Sequence, residues 1–399
     1  MKKVRALCMS RNYPNDEFPR LGIWVERLVA ACAPWCETKV IAPVPYFPAL
    51  PGPARHSRYS RYAHISQRER RHDIEVLRPR ILIPPGMLLH GLEATGYFHG
   101  VKRQILKLRK DFEFDLIHAH FVYPDGVVAA RLGKELRVPV VITEHASWRP
   151  WLDDYPRVRR QALVAATRAS TLIAVSRSLA DSMRSFGVPN EKIAVVPNVI
   201  DQSVFTTGER SAPGPRARLL FVGIMRHVKG LDILLRALRL LLDDGIDVEL
   251  AIVGESFYPT YARDLGQLAS LSTELNLDER VTFLGGMEPV EVAAEMRKST
   301  VVVLPSRRET FGLVLAEALA CGIPVVATRC GGPEDIVEGG LGVMVDKENP
   351  AALAQGIGNV LKNYLTYDPM QLRERALNRF GPDVVSARLR EIYEIALTR

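Results

Sequence analysis

Short runs rich in Val and Ile alternate with longer stretches of helical periodicity along almost the whole of this chain, and no other feature restricts its fold as much. VRALCM (4–9), TKVIAP (38–43), FDLIHAHF (114–121), PVVITE (139–144), STLIAVS (170–176) and KIAVVPN (192–198) are apolar and short enough for strands buried on both faces of a parallel sheet. Between them GIWVERLVAACA, DGVVAARLGKEL and PRVRRQALVAATRA repeat apolar residues at helical spacing. Strand, helix, strand is the pattern of βαβ units. The rhythm lapses at TTGERSAPGPRAR (206–218) and resumes with RLLFVG, VELAIVG, RVTFLGG, STVVVLPS and PVVATRC. The expectation is an α/β chain of two tandem doubly wound, Rossmann-like domains, with a functional cleft where the carboxyl ends of their sheets face each other. The first spans residues 1–200, a linker 201–217, and the second 218–380; residues 381–399 read as an amphipathic helix that crosses the junction and returns toward the first domain.

Apolar residues make up 47% of the chain and charged residues 25%, which is globular usage and calls for no large disordered part. No signal peptide is visible and no apolar run approaches the ~20 residues needed to span a bilayer. The expectation is a cytoplasmic protein, able at most to sit peripherally at the inner face of the cell membrane. The cysteines Cys8, Cys32, Cys36, Cys321 and Cys330 are odd in number and form no CxxC, which speaks against a disulfide framework or a zinc site. Cys32 and Cys36 read as buried thiols at i, i+4 on one helix. His118 and His120 share one face of a strand without a carboxylate or cysteine partner, so a structural or substrate-facing role is expected rather than a metal site.

Charge is unevenly spread. Residues 1–200 carry 31 Lys and Arg against 18 Asp and Glu, and residues 201–399 carry 22 against 27. The basic half calls for an anionic partner, nucleic acid or an anionic membrane surface; without a nucleic-acid motif or interleaved aromatics, nucleic acid is set aside. The arginine-dense stretch 54–80 does not follow the strand–helix rhythm. After it, Val101, Ile105, Leu108 and Phe112 keep helical spacing while Lys102, Arg103, Lys107, Arg109 and Lys110 occupy the other faces. This is either a solvated basic face or, with the apolar segments Met87 to Tyr97 and Trp148 to Trp151, a surface for lipid or acceptor.

No GxGxxG follows an early strand and no GxxxxGK[ST] occurs, so the phosphate cradles of dinucleotide-binding dehydrogenases and P-loop NTPases are missing. FVGIMRHVKGLDILLRAL offers another: a strand ending at Gly223, a loop with Arg226, His227 and Lys229, and a helix opened by Gly230, where the cations can neutralise a diphosphate without metal. In SRRETFGLVLAEALACGIPVV, a loop from Ser306 to Thr310 leads into a helix from about Phe311 to Ala320. Gly312 stands where helix-start N–H groups lack partners, a place for an anion. Glu309 precedes that end and Glu317 lies two turns in, so the pair can accept hydrogen bonds from hydroxyls at two points of one ligand.

The segment SRRETFGLVLAEALACGIPVVATRCGGPEDIV resembles the E(x7)E signature of family 4 retaining glycosyltransferases, which have the GT-B fold. FVGIMRHVKG resembles that family's VGRLxxxKG loop and VVPNVID its PNGVD segment. DLIHAHFVYPDG, VVITEHASW, LIAVSRSLAD and YPNDEFPRLGIWVERL resemble its first-domain segments, so the likeness covers almost the entire chain in order. The resemblance implies a metal-independent, retaining hexosyltransferase that uses a nucleotide-sugar donor, a UDP- or GDP-sugar, with no bound cofactor. It implies that Glu309 binds hydroxyls of the sugar, Glu317 the ribose, and Lys229 the diphosphate with backbone amides around Phe311, Gly312 and Leu313. Gly22 would approach the donor phosphate, His145 would stand near the reacting centre, and the base would rest near Gly254 and the Leu284 to Met287 turn. Two residues depart from the family pattern: Ile224 occupies its usual Arg position, making Arg226 the replacement candidate, and Ala146 replaces the glycine after the histidine. The acceptor implied is a glycan or lipid-linked molecule of cell-surface polysaccharide or glycolipid biosynthesis. Other GT-B enzymes, such as a nucleotide-sugar epimerase or a glycogen-type synthase, and more distantly a basic nucleic-acid-binding protein, are the alternatives.

Overall fold

A computed structural model describes residues 3–46, 60–83, 90–148, 151–208, 214, 216–255 and 261–398. The chain forms two compact units, one of residues 1–199 with 385–399 and one of residues 200–384.

The first unit is built on a sheet of β1 (Val4–Met9), β2 (Cys36–Ile41), β4 (Arg68–Arg71), β5 (Ile74–Leu77), β7 (Leu116–His120), β8 (Val140–Glu144), β9 (Thr171–Ala174) and β10 (Ile193–Val195), while β3 (Val44–Pro45) and β6 (Arg80–Ile81) form a small separate ladder. The order is β10-β9-β8-β7-β1-β2-β5-β4, parallel except for the β4–β5 pair. The central strands β7 and β8 are buried along their whole length, as apolar runs covered on both faces must be. Helix Pro382–Thr398 supplies part of this core: Val385, Leu389, Ile392, Tyr393 and Ala396 form one stripe against Ala6, Leu28, Leu116 and Val141.

Residues 54–59 of the arginine-dense stretch lie outside the described residues, and the rest holds a short helix, Arg61–His64, and the antiparallel pair β4–β5. β4 and β5 are joined by His72 and Asp73, both in the left-handed region (φ 45° and 64°), the geometry of a two-residue hairpin turn. Arg68 and Arg70 are 74% exposed, whereas three other arginines are used internally. Arg78 is 1% exposed and bonded to Glu69 and the Pro14 carbonyl, Arg71 pairs with Glu26 at 2.7 Å, and Arg80 donates to the carbonyl oxygens of Tyr62 and Ile65. Another expectation is corrected here. Cys32 ends helix Ile23–Cys32 and Cys36 begins β2, because Pro34 cannot donate to a continuing helix; both thiols are nonetheless buried in one core, with pKa values pushed up by burial.

The second unit holds an all-parallel sheet of β11 (Ala217–Val222), β12 (Val248–Val253), β13 (Val281–Gly285), β14 (Val301–Leu304), β15 (Val325–Thr328) and β16 (Gly342–Val345), ordered β13-β12-β11-β14-β15-β16. β16 is an additional strand in a glycine-rich stretch whose periodicity carries little signal. Phe205, inside the stretch read as a linker, is buried, and Arg373 donates to the carbonyls of Phe205 and Gln202. Strand order reverses at β11, whose neighbours are β12 and β14. The loops after β11 and β14 therefore leave the sheet side by side at a topological switch point, the usual ligand position in such a sheet.

Candidate active site

Lys229 and Glu309, 80 residues apart, meet at that switch point. The Lys229 Nζ donates to Glu309 Oε2 at 2.5 Å, and Ser306 Oγ donates to the same oxygen at 3.4 Å. Their side chains are 18% and 13% exposed, so the pair is largely withdrawn from water yet open on one side. Arg307 locks the two loops together. Its guanidinium binds Asp232 through two bonds of 2.8 Å and the His227 carbonyl at 2.7 Å, while its own backbone N–H donates to the Val228 carbonyl at 2.8 Å. A fork with fixed geometry on a carboxylate suits this bracing better than lysine would.

Beyond Glu309 the chain turns through Gly312 and enters helix Leu313–Ala320, two residues later than the sequence suggests. Gly312 caps it with φ 91°, a conformation a side chain would resist. In the first turn Leu315 donates to the Gly312 carbonyl at 2.9 Å, while the N–H groups of Leu313 and Val314, ahead of it, have no acceptor within the helix and stand at the positive end of its dipole. Glu317 is only 8% exposed, so it is no solvated surface acid. Arg226 stands exposed just before the single turn His227–Lys229, and Ile224, at the family's arginine position, is 36% exposed. Gly254 follows β12 and donates to the Gly285 carbonyl at 2.8 Å, which draws Gly254 and the half-buried Leu284 to the same end of the sheet.

In the first unit His145 follows β8. Its ring stacks on His120 at 5.3 Å, with Nε2 3.0 Å from His120 Nδ1, and Trp24 and Phe121 close around it. His120 in turn lies 4.4 Å from the His118 ring, which bridges Tyr393 (2.8 Å) and Thr143 (2.7 Å). Burial pulls the His118 and His145 pKa values down to about 3, and His120 falls well below its usual range for the same reason, so all three rings are neutral at pH 7. Glu144 shapes the loop. Its carboxylate accepts from the backbone N–H of Val122, His145 and Ala146 and from Trp148 Nε1, at 2.8–3.0 Å. The left-handed non-glycine residues among those described do not include Ala146, so this loop needs no glycine there. Gly22 caps helix Ile23–Cys32 with φ 71°, and a Cβ on it would lie 1.9 Å from the Asn12 carbonyl oxygen; close approach of the loop to itself requires glycine.

Comparison with known proteins decides the family. Residues 208–379 match the family described as Glycosyl transferases group 1 and residues 60–204 match Glycosyltransferase Family 4. D-inositol 3-phosphate glycosyltransferase 1 of Catenulispora acidiphila is 33% identical over 319 residues, 73% of this chain and 74% of that one. The chain belongs to glycosyltransferase family 4. Its fold is GT-B, as in the sucrose-phosphate synthase from Thermosynechococcus elongatus (TM-score 0.79, 20% identity, 98% of each chain). A second match is Anabaena Alr3699/HepE in complex with UDP and glucose (TM-score 0.73, 20% identity, 99% of this chain and 100% of that one). The chain is thus a glycosyltransferase.

Several candidate residues of this glycosyltransferase stand elsewhere than the sequence suggests. Trp148, read as facing lipid or acceptor, is 1% exposed, bonded to Glu144 and packed edge-on against Phe186; an indole with a buried partner for its N–H belongs to the core. Trp151 begins a short helix, but its side chain lies outside the described residues, as do residues 84–89 of the apolar segment before Tyr97. Tyr97, which ends that segment, is buried, as is Phe98 after it. Of the basic helix, Lys102 pairs with Glu135 at 2.6 Å and Arg109 donates to the Leu136 carbonyl, whereas Arg103 and Lys107 are exposed. Phe311 is 2% exposed against Phe380, which leaves its backbone alone to meet a ligand. Trp148→Ala is expected to destabilise the first unit by about 3–5 kcal/mol, read from urea midpoints, because it removes a core indole and leaves Glu144 a donor short. A variant of unchanged stability would return Trp148 to the surface.

Sequence reasoning missed Arg307 and Glu144. Arg307 stands beside Arg308, and nothing local separates the one that braces from its neighbour. Glu144 did leave a trace, as a carboxylate ending the otherwise apolar strand VVITE.

Proposed function

We propose that this glycosyltransferase transfers a sugar from a UDP- or GDP-sugar to an acceptor hydroxyl with retention of configuration and without a metal ion. The observation that carries the reading is the Lys229–Glu309 pair at 2.5 Å beside the start of helix Leu313–Ala320. A cation and unpaired N–H groups there can hold the diphosphate, and Glu309 and Glu317 offer acceptors for hydroxyls of sugar and ribose. Gly254 and Leu284 border the base, and Arg226 adds the second cation. In the reaction the bond from the anomeric carbon to the phosphate oxygen breaks with its electron pair leaving on the nucleoside diphosphate. The acceptor oxygen bonds the same face of the sugar, and its proton passes to the departing phosphate. Catalysis is then chiefly stabilisation of leaving-group charge and positioning. His145, neutral at pH 7, serves as a hydrogen-bond partner near the sugar rather than as a cation.

The acceptor is a glycan or lipid-linked molecule of cell-surface polysaccharide or glycolipid assembly, met at the inner face of an anionic membrane by the basic first unit. No helix among the described residues is long and apolar enough to cross a membrane, so contact would be peripheral. The similarity to D-inositol 3-phosphate glycosyltransferase 1 favours a second reading, a small phosphorylated polyol as acceptor. Incubation with UDP-, GDP- and ADP-sugars, each with lipid-linked glycan or inositol phosphate, separates these. Thermal stabilisation by one donor class, an α-linked product from an α-linked donor and activity retained in EDTA are expected; an inverted product or loss of activity in EDTA overturns the mechanism.

A further inference from the structure

Helices His90–Asp111, Val127–Leu136 and Pro156–Arg168 of the first unit enclose a groove of about 520 Å³. Its apolar lining includes Leu92 and Val164, which are 51% and 40% exposed. Arg131, Arg157, Arg160 and Arg168 surround it, and among the described residues no Asp or Glu lines it. The sequence explains the grouping: Arg157, Arg160, Val164 and Arg168 fall at i, i+3, i+7 and i+11, one face of a helix. Arg159, on another face of that helix, is paired with Asp153 at 3.4 Å. Among the described residues, Arg157, Arg160 and Arg168 are in no ion pair. Arg131 is held over the Phe98 ring, 3.6 Å from its centroid. Gln161, also lining the groove, gives its amide N–H to the Gly91 carbonyl at 2.8 Å, while its Oε1 is buried without a donor.

We propose that this groove docks the first unit on an anionic phospholipid bilayer. Phosphates meet the arginines, and Leu92 and Val164 enter the boundary between headgroups and acyl chains. Charge complementarity identifies the occupant as an anion, and the two exposed aliphatic side chains as one with an apolar part. Among the described residues no aromatic side chain lines the groove for bases to stack on, which disfavours single-stranded nucleic acid. The proposal deepens the membrane-surface reading above and is independent of the donor site.

The test is co-sedimentation of the full chain with vesicles of phosphatidylcholine alone and of equimolar phosphatidylcholine and phosphatidylglycerol. Binding is expected for the mixed vesicles only, weakening with salt. Arg157→Gln with Arg160→Gln should lower partitioning roughly thirty-fold, each arginine near an anionic bilayer being worth about a factor of five. Val164→Asp should also lower it. Arg103→Gln with Lys107→Gln, an equal change of charge on the exposed face of the neighbouring helix, should leave it within about two-fold, with unchanged circular dichroism in every variant. An equal loss in the Arg103 and Lys107 variant would overturn the groove and leave a diffuse basic surface. Displacement by soluble glycerol 3-phosphate would make this a site for free phosphate compounds and overturn the bilayer. Absence of wild-type binding would overturn both the groove and the membrane reading, leaving the donor site untouched.

Discussion

Replacing either Lys229 or Glu309 by alanine should reduce transfer by roughly 10²–10³-fold while the second unit keeps its fold. If Lys229 neutralises the departing diphosphate, its loss removes a charge that acts where negative charge develops, and single contacts of that kind are worth roughly 10²–10³ in kcat. Glu309 adds a second effect: in the free protein it holds the ammonium in place at 2.5 Å. Removing one member leaves the other with a charge largely withdrawn from water and no partner. The two losses should therefore not multiply, and the double variant should be about as slow as the worse single one. Glu309→Gln, which retains an acceptor but not the charge, should fall between. Steady-state kinetics with the preferred donor and thermal unfolding of each variant provide the check; full activity in either alanine variant refutes the assignment, and multiplicative losses refute the coupling.

Acid should destabilise the first unit in two stages. His118 and His120 are buried and His145 is half-buried, all with pKa values below the usual imidazole range of about 6.5 because their surroundings penalise the charged ring. A depressed imidazole pKa means that the unfolded chain binds the proton first. Stability is then complete above about pH 6.5 and falls as pH drops toward 3, by up to ~1.4 kcal/mol per pH unit for each ring. Two buried carboxyls oppose this. Burial pushes Asp125 up to about 7 and also raises Glu144, so each binds its proton in the folded state first and gains stability as pH falls, until its unfolded counterpart titrates near pH 4. Three rings against two carboxyls predict a shallow loss from pH 6.5 to about 4 and a steep one below. Urea midpoints across that range measure it, and His118→Gln should lessen the steep limb. Constant stability down to pH 3 would show that the rings are charged in the folded state.

The local layer of this protein was legible before its structure. Every strand run that alternated with helices in the sequence is a strand in the sheets, because Val- and Ile-rich runs of that length have few other ways to be buried. That a helix begins close to Gly312 could likewise be read to within two residues, since ETFGLVLAE carries its own break and periodicity. What failed failed for long-range reasons. Trp148 looks like a surface-seeking residue until Phe186 and Glu144 close on it, and Arg71 and Arg78 look like part of a basic surface until Glu26, Glu69 and the Pro14 carbonyl satisfy them.

By itself, the sequence determined the alternation that makes two parallel sheets, the side of each sheet on which chemistry-bearing loops emerge, and the presence of two acids eight residues apart around a helix start. Only the tertiary structure decided which cations are left to act. Periodicity is set by neighbours along the chain and can be read there. Whether Lys229 faces Glu309, Arg307 is a brace, or Arg157 and Arg160 stand in no ion pair among the described residues depends on residues far away in sequence, brought close only by the packing of the sheet and its helices.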